Sequence, residues 1–268
     1  MQLTVDGVTV EGYAGETVLA VARRAGAEIP ALCSHAAVTP YGACRLCMVE
    51  VKRNGRSRMV ASCSYPAEDG LTVLTHTERV QRARRGVVEL LMAQAPDSKE
   101  LRELGASMGV DETRFPTVGH AEGGCILCGL CVSVCRDVIH ASSVSFANRG
   151  VDRALTTPFL EPSEECIGCG ACAAVCPVGA IEIRVSGDEI EIAPFGNRVR
   201  LARCAECGTP IGSVPLGERV QRELGDRSTH TVGLCIDCKQ RQAGARAWKV
   251  GRLRPASKAA HLALTARS

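Results

Sequence analysis

Aromatic residues are scarce: one tryptophan, three tyrosines and four phenylalanines make up 3 % of the 268 residues. One large hydrophobic core is therefore not expected, and the length points to two or three small domains. No run approaches the roughly 18 to 20 apolar residues of a membrane span. The opening MQLTVDGVTV has no basic n-region, apolar h-region or small-residue cleavage site, so export is not expected. Arg23-Arg24 lies inside TVLAVARRAG, which reads as a short amphipathic helix rather than a twin-arginine signal. Charge of one sign is also missing. A net charge of +3 gives no support to nucleic acid as a bulk partner.

Cysteine is abundant instead, at sixteen residues. In the reducing cytoplasm expected for this chain, so many thiols are better explained by metal than by cystine. They fall into four groups of four, and each group is expected to be one module. The first is Cys33, Cys44, Cys47 and Cys63, written C-x10-C-x2-C-x15-C. LTVDGVTV before it alternates around Asp6-Gly7, a two-residue hairpin signal, and MVEVKRNGRSRMVASC reads as a second hairpin turning at Asn54-Gly55. A short helix on Val18, Leu19, Val21 and Ala22, stopping at Gly26, lies between them. Strands, a helix across them and a cysteine-rich loop predict a β-grasp ferredoxin-like domain. Gly42 and Ala43 beside Cys44 let backbone amides reach the sulfurs. A [2Fe–2S] cluster is the reading, in preference to zinc, whose ligands come as two tight knuckles.

The second group, CILCGLCVSVCR, and the third, CIGCGACAAVCP, both read C-x2-C-x2-C-x3-C, the run that wraps a cubane [4Fe–4S] cluster. Two copies predict a two-cluster ferredoxin module in which the fourth cysteine of each run crosses over. Cys125, Cys128 and Cys131 then share one cubane with Cys176, while Cys166, Cys169 and Cys172 share the other with Cys135. Arg136 replaces the usual proline after the first run, either as a charge near a cluster or as a solvated surface residue. The interval between the runs is longer than a minimal ferredoxin needs. His140 is expected to be ordinary structure, since four cysteines are already available. GCGACA, at 168–173, loosely matches a dinucleotide fingerprint, but no strand leads into it and its cysteines are assigned.

The fourth group pairs Cys204 and Cys207 with Cys235 and Cys238 as two C-x2-C knuckles. Structural zinc is the leading reading, and a third [4Fe–4S] cluster or a rubredoxin-type iron uses similar spacing. The predicted fold is α+β, with a β-grasp domain over 1–76, a helical linker over 77–119 and a two-cluster ferredoxin domain over 120–190. A zinc-ribbon-like module over 191–245 and a basic tail over 246–268 complete it. In the linker, Val80, Val87, Val88, Leu90 and Leu91 recur at helical spacing, with Arg79, Arg82, Arg84 and Arg85 largely on other faces. A second helix follows Asp97-Ser98.

IPALCSHAAVTPYGACRLCMVEV, VASCSYPAEDGLTVLTHTERVQRARRGVVELLMA and the two cubane runs resemble the N-terminal iron–sulfur part of the large subunit of respiratory complex I. They equally resemble the small iron–sulfur diaphorase subunit of NAD-reducing hydrogenases and the matching region of NAD-dependent formate dehydrogenases. The resemblance covers roughly Met1 to Ile183. It implies one further cubane, held by a histidine and three cysteines, but AQAPDSKELRELGASMG at that place contains neither residue, so that cluster is expected to be absent.

No flavin motif, molybdopterin domain, nucleotide fingerprint or nickel-ligand pair at both chain ends is present, nor any Ser/His/Asp or Cys/His constellation. Several redox centres without a site for chemistry describe a relay. The expected function is electron transfer within a cytoplasmic NAD(P)-linked oxidoreductase. The resemblance implies a flavin-containing subunit at one end and a hydrogenase- or formate dehydrogenase-like catalytic subunit at the other. A free-standing ferredoxin-type carrier and a structural zinc protein are the alternatives.

Overall fold

The structure, a computed structural model, describes residues 1–117, 124–225 and 232–253. It divides into two units, one made of Met1–Cys166, Gly170–Arg184 and Glu191–Arg198, the other of Ile167–Cys169, Val185–Ile190 and the described part of Val199–Ser268.

In the first unit, β1 (Gln2–Val5) and β2 (Val8–Glu11) pair with Val5 opposite Val8, leaving Asp6 and Gly7 as the turn. Both have positive φ, 46° and 89°, the geometry that matches strand twist in a two-residue hairpin. Thr17 caps helix α1 (Val18–Arg24) by accepting from the Ala20 N–H, and the helix buries Val18, Leu19, Val21 and Ala22. The second hairpin, β3 (Met48–Arg53) and β4 (Arg56–Ala61), turns through Asn54 and Gly55 as expected. Strand β5 (Thr72–Leu74) lies between the hairpins, parallel to β1 and antiparallel to β3, giving the order β2-β1-β5-β3-β4. Alternation turns Leu3, Val5, Val49, Val51 and Val73 inward, each 2 % exposed or less.

Thr77 caps α2 (Glu78–Gln94) and Ser98 caps α3 (Lys99–Ser107). Val80, Val88, Leu91 and Met92 of α2 are buried, but two residues depart from the expected faces. Leu90 is 52 % exposed, and Arg84 is only 6 % exposed. Arg84 Nε and Nη2 both donate to the Met48 carbonyl, at 3.0 and 2.8 Å, which draws the guanidinium inward beside the start of β3. A Cβ on Gly105 would stand 2.6 Å from the Val110 carbonyl oxygen and 2.8 Å from Met92 Sδ, so only glycine lets α3 approach this closely. The segment where the resemblance implies a further cubane is filled by Ala95, Leu101 and Val110, all buried.

Helix α4 (Leu130–Ser133) continues into one π-helical turn over Val134–Val138. The long interval between the cubane runs forms a hairpin, β6 (Ser145–Ala147) and β7 (Ala154–Thr156), with the Arg153 guanidinium 4.0 Å above the Phe146 ring. After α5 (Ala171–Ala174), strands β8 (Glu182–Ser186), β9 (Glu189–Ala193), β10 (Asn197–Arg203) and β11 (Pro210–Ser213) form a sheet in the order β11-β10-β9-β8. Ser213 caps α6 (Val214–Leu224), and α7 (Ile236–Leu253) follows. The expected basic tail is helical at its start, since α7 runs into it, and 254–268 lies outside the described residues.

The core corrects one expectation. Valine, leucine, alanine and cysteine fill one contiguous cluster in the first unit, so scarcity of rings did not prevent an extensive core. Among the described residues Phe195 is the one buried aromatic, and no described helix is long and apolar enough to cross a membrane.

Candidate metal centres

The loop between α1 and β3 carries Cys33, Cys44 and Cys47, and the turn after β4 carries Cys63. All four are 0 to 4 % exposed inside the aliphatic core. The Cys44 N–H donates to Cys33 Sγ at 3.4 Å and the Cys63 N–H to Cys47 Sγ at 3.5 Å. Hydrogen bonds from the Cys44 and Cys63 thiols bring the Cys33 thiol down to about 2, and one from Cys63 brings Cys47 to about 6, while Cys44 and Cys63, the donors, are pushed up. Anionic sulfur is thus favoured at Cys33 and Cys47 in a dry setting. None of the sixteen cysteines forms a disulfide. Four gathered cysteines, with backbone N–H donors on the Cys33 and Cys47 sulfurs, suit an iron–sulfur core.

Cys125, Cys128, Cys131 and Cys176 line one small cavity, closed on another side by Phe146 and Leu155 of the inserted hairpin. The fourth cysteine of the second run is therefore brought to the first three of the first run. The Leu127 N–H donates to Cys125 Sγ at 3.3 Å and the Ala180 N–H to Cys176 Sγ at 3.2 Å. Burial pushes the Cys128 thiol up to about 12, and the charges of Cys125, Cys176 and Cys33 act in the same direction. Cys33 belongs to the first quartet, so the two sites are near enough to feel each other. Cys128 and Cys33 also share one apolar cluster.

Cys135, Cys166 and Cys172 lie in a second apolar cluster with Ile181, Ile192 and Phe195, which also takes in Cys131 of the neighbouring quartet, and the Ser143 N–H donates to Cys135 Sγ at 3.4 Å. Cys169 falls in the second unit. Arg136 resolves as a solvated residue: Nε and Nη2 grip the Asp137 carboxylate at 2.7 and 3.0 Å on the surface. His140 is exposed, with Nδ1 at 3.1 Å from the Arg136 carbonyl oxygen. No strand precedes Gly168 and Gly170.

The sulfurs of Cys204, Cys207, Cys235 and Cys238 all lie within 4.8 Å of one another. Sulfurs around one tetrahedral zinc, at a Zn–S length of about 2.3 Å, stand about 3.8 Å apart, so this quartet has the size for a single ion. A cubane places four iron atoms between its thiolates and spreads them further. Backbone N–H groups of Cys235 and Cys207 lower the Cys204 thiol to about 6, and Arg241 Nη2 donates to Cys238 Sγ at 2.8 Å.

Two features escaped the sequence reading. Phe146 and Leu155 had no signal beyond the length of the interval. Arg84 had one: it sits four residues after Val80 and four before Val88, on the buried stripe itself.

A family model of the 2Fe-2S iron–sulfur cluster binding domain matches residues 1–78, and one of the 4Fe-4S binding domain matches 163–182. An NADH-quinone oxidoreductase subunit of Rhizobium meliloti (strain 1021) is 32 % identical, over 68 % of this chain and 24 % of the relative. The alpha subunit of NADPH-Fe(3+) oxidoreductase of Geobacter sulfurreducens is 29 % identical, over 88 % and 30 %. A subunit of the NADP-reducing hydrogenase of Solidesulfovibrio fructosivorans is 28 % identical, over 84 % and 45 %. A chain in the crystal structure of NAD+-reducing [NiFe]-hydrogenase in the H2-reduced state aligns with a TM-score of 0.58 and 28 % identity, covering 73 % of this chain and 88 % of that one. These proteins are homologues of the chain, and it spans between about a quarter and under half the length of these curated relatives.

Proposed function

We propose that this chain is the iron–sulfur electron-transfer subunit of a cytoplasmic multisubunit NAD(P)-linked oxidoreductase, of hydrogenase or formate dehydrogenase type. It relays electrons between a flavin-containing subunit that handles NAD(P)(H) and a catalytic subunit. Cys33, Cys44, Cys47 and Cys63 hold a [2Fe–2S] cluster. Cys125, Cys128, Cys131 and Cys176 hold one [4Fe–4S] cluster, and Cys166, Cys169, Cys172 and Cys135 the other. Cys204, Cys207, Cys235 and Cys238 hold zinc, a reading supported by the 4.8 Å grouping of their sulfurs. The domains at 1–76, 120–190 and 191–245 carry these centres in turn.

When bound, the clusters accept and pass on single electrons. The polypeptide supplies spacing, dryness and hydrogen bonds. Its backbone N–H groups at Cys44, Cys63, Leu127 and Ala180 lie on ligand sulfurs and stabilise their negative charge. Phe146 and Leu155 keep water from the Cys128 side. The observation that supports the relay reading is that Cys33, Cys44, Cys47 and Cys63 of the first quartet and Cys128 of the next belong to one continuous apolar core.

The test is metal analysis and paramagnetic resonance on chain purified without oxygen. About ten iron atoms and one zinc per chain are expected, with signals from a binuclear and two cubane centres after dithionite. About fourteen iron atoms without zinc would overturn the zinc assignment, and a colourless, silent preparation would overturn the relay. Flavin and catalytic subunits are expected to co-purify. Isolation always alone and active would favour a free carrier.

A further inference from the structure

Nine arginines of the described chain grip a carboxylate, among them Arg24 on Glu16, Arg53 on Glu68, Arg114 on Glu89 and Arg203 on Asp188. Three that line one cavity do not. Arg23 Nη2 donates to the Ile29 carbonyl at 3.0 Å, Arg84 donates only to the Met48 carbonyl, and Arg85 has no partner among the described residues. A guanidinium as deeply buried as Arg84 is ordinarily matched by a carboxylate. Here the one acid on the cavity wall is Glu28.

The cavity, of about 720 Å³, lies between the end of α1, the loop after it, α2 and α3. That volume falls within the roughly 300 to 1,000 Å³ of small-molecule sites. Ile29, Pro30, Leu104 and Met108 give it an apolar wall, and His76, Gln81 and Ser107 add polar groups. Three guanidinia without a carboxylate partner on one cavity that also has an apolar wall suit an oxyanion attached to an organic body, since guanidinium forks bind phosphate through paired N–H donors. We infer that this cavity binds a phosphorylated organic molecule of nucleotide size, and that its occupancy is felt at the first cysteine quartet through Arg84. Recognition runs through side chains, so no glycine-rich phosphate loop is required. Arg84 is the link because it bonds the carbonyl of Met48, next to Cys47, and interacts with the Cys47 charge. A bound anion offsets that positive field and makes reduction of the quartet harder; this half rests on the [2Fe–2S] reading above.

The test is calorimetric titration of the anaerobic holoprotein with ADP, with inorganic pyrophosphate and an oligoglutamate peptide as controls. One ADP per chain is expected, bound more tightly than pyrophosphate. Arg85→Glu should weaken ADP at least tenfold while the visible spectrum of the [2Fe–2S] centre reports an intact fold. Absence of saturable ADP binding, indifference to Arg85→Glu, or saturation by oligoglutamate alone would overturn the site. In a redox titration, ADP binding tenfold tighter to the oxidised chain lowers the [2Fe–2S] potential by about 59 mV. ADP binding with an unmoved potential overturns the coupling. A quartet silent to resonance overturns the cluster reading and leaves the calorimetric result standing on its own.

Discussion

Cys33, Cys44, Cys47 and Cys63 are buried among aliphatic side chains on a five-stranded sheet, whereas in the last quartet Cys207 is exposed and Cys235 half-buried. Around the first quartet, Leu3, Leu46, Val49 and Val73 would form a core even with neutral thiols, which behave as small hydrophobes. Around the last, α6 has no buried residue, and of the module's residues from 204 on only Cys204, Ser213 and Cys238 are buried among those described. In the first case the fold positions the sulfurs. In the second, the proposed ion would draw the sulfurs together and hold the fold.

The largest expected effect breaks this contrast most directly. Stripping the last quartet with a chelator should unfold 199–253, because structural zinc contributes on the order of 10 kcal/mol to such modules. Circular dichroism should lose the α6 and α7 signal while the [2Fe–2S] visible bands persist. Retention of full helicity would mean that the module has a core of its own. Next, Leu101→Ala removes a fully buried side chain from the α2–α3 packing and should cost about 2 to 5 kcal/mol, read as a lower denaturation midpoint. A Leu216→Ala counterpart on half-buried α6 should cost much less.

Smaller again is Phe146→Ala, which opens the Cys128 cavity to water. It should raise that cubane's potential by tens of millivolts and shorten its lifetime in air, with the [2Fe–2S] potential unchanged. The smallest effect belongs to the exposed Arg24–Glu16 pair. The Arg24 hydrogen bond lowers the Glu16 carboxyl to about 2 from an ordinary 4.5, so its contribution is present above 4.5 and lost as pH falls toward 2. Glu16→Gln should be slightly less stable than wild type at pH 7, and the difference should narrow below pH 4.5 and close only below about pH 2. A difference that persists there would assign the effect to packing.

The hairpins and the helix starts were legible because each has a local cause. Asp6-Gly7 and Asn54-Gly55 fix their turns, and Thr77 and Ser98 sit where a first turn needs an acceptor. What was not legible depends on partners distant in sequence. Three residues, Thr72–Leu74, carry too little pattern to announce a central strand whose neighbours lie some twenty and seventy positions away. Arg84 was assigned to solvent by its charge, although its place in the stripe with Val80 and Val88 pointed inward, because its acceptor is a carbonyl 36 residues upstream. The inserted hairpin was visible only as excess length, since the alternation of β6 and β7 spans three residues each.

The position of β5 also governs how this domain comes into being on the ribosome. Each hairpin can close as soon as it is made, but they meet only through Thr72–Leu74, the last strand to emerge. Until those residues leave the exit tunnel, two separate ribbons flank an open thiol-bearing loop. Iron and sulfide delivered before that point would find ligands without walls. Loading of the proposed [2Fe–2S] cluster would then wait on completion of the sheet, and a nascent chain arrested before β5 emerges would offer ligands but not yet a container.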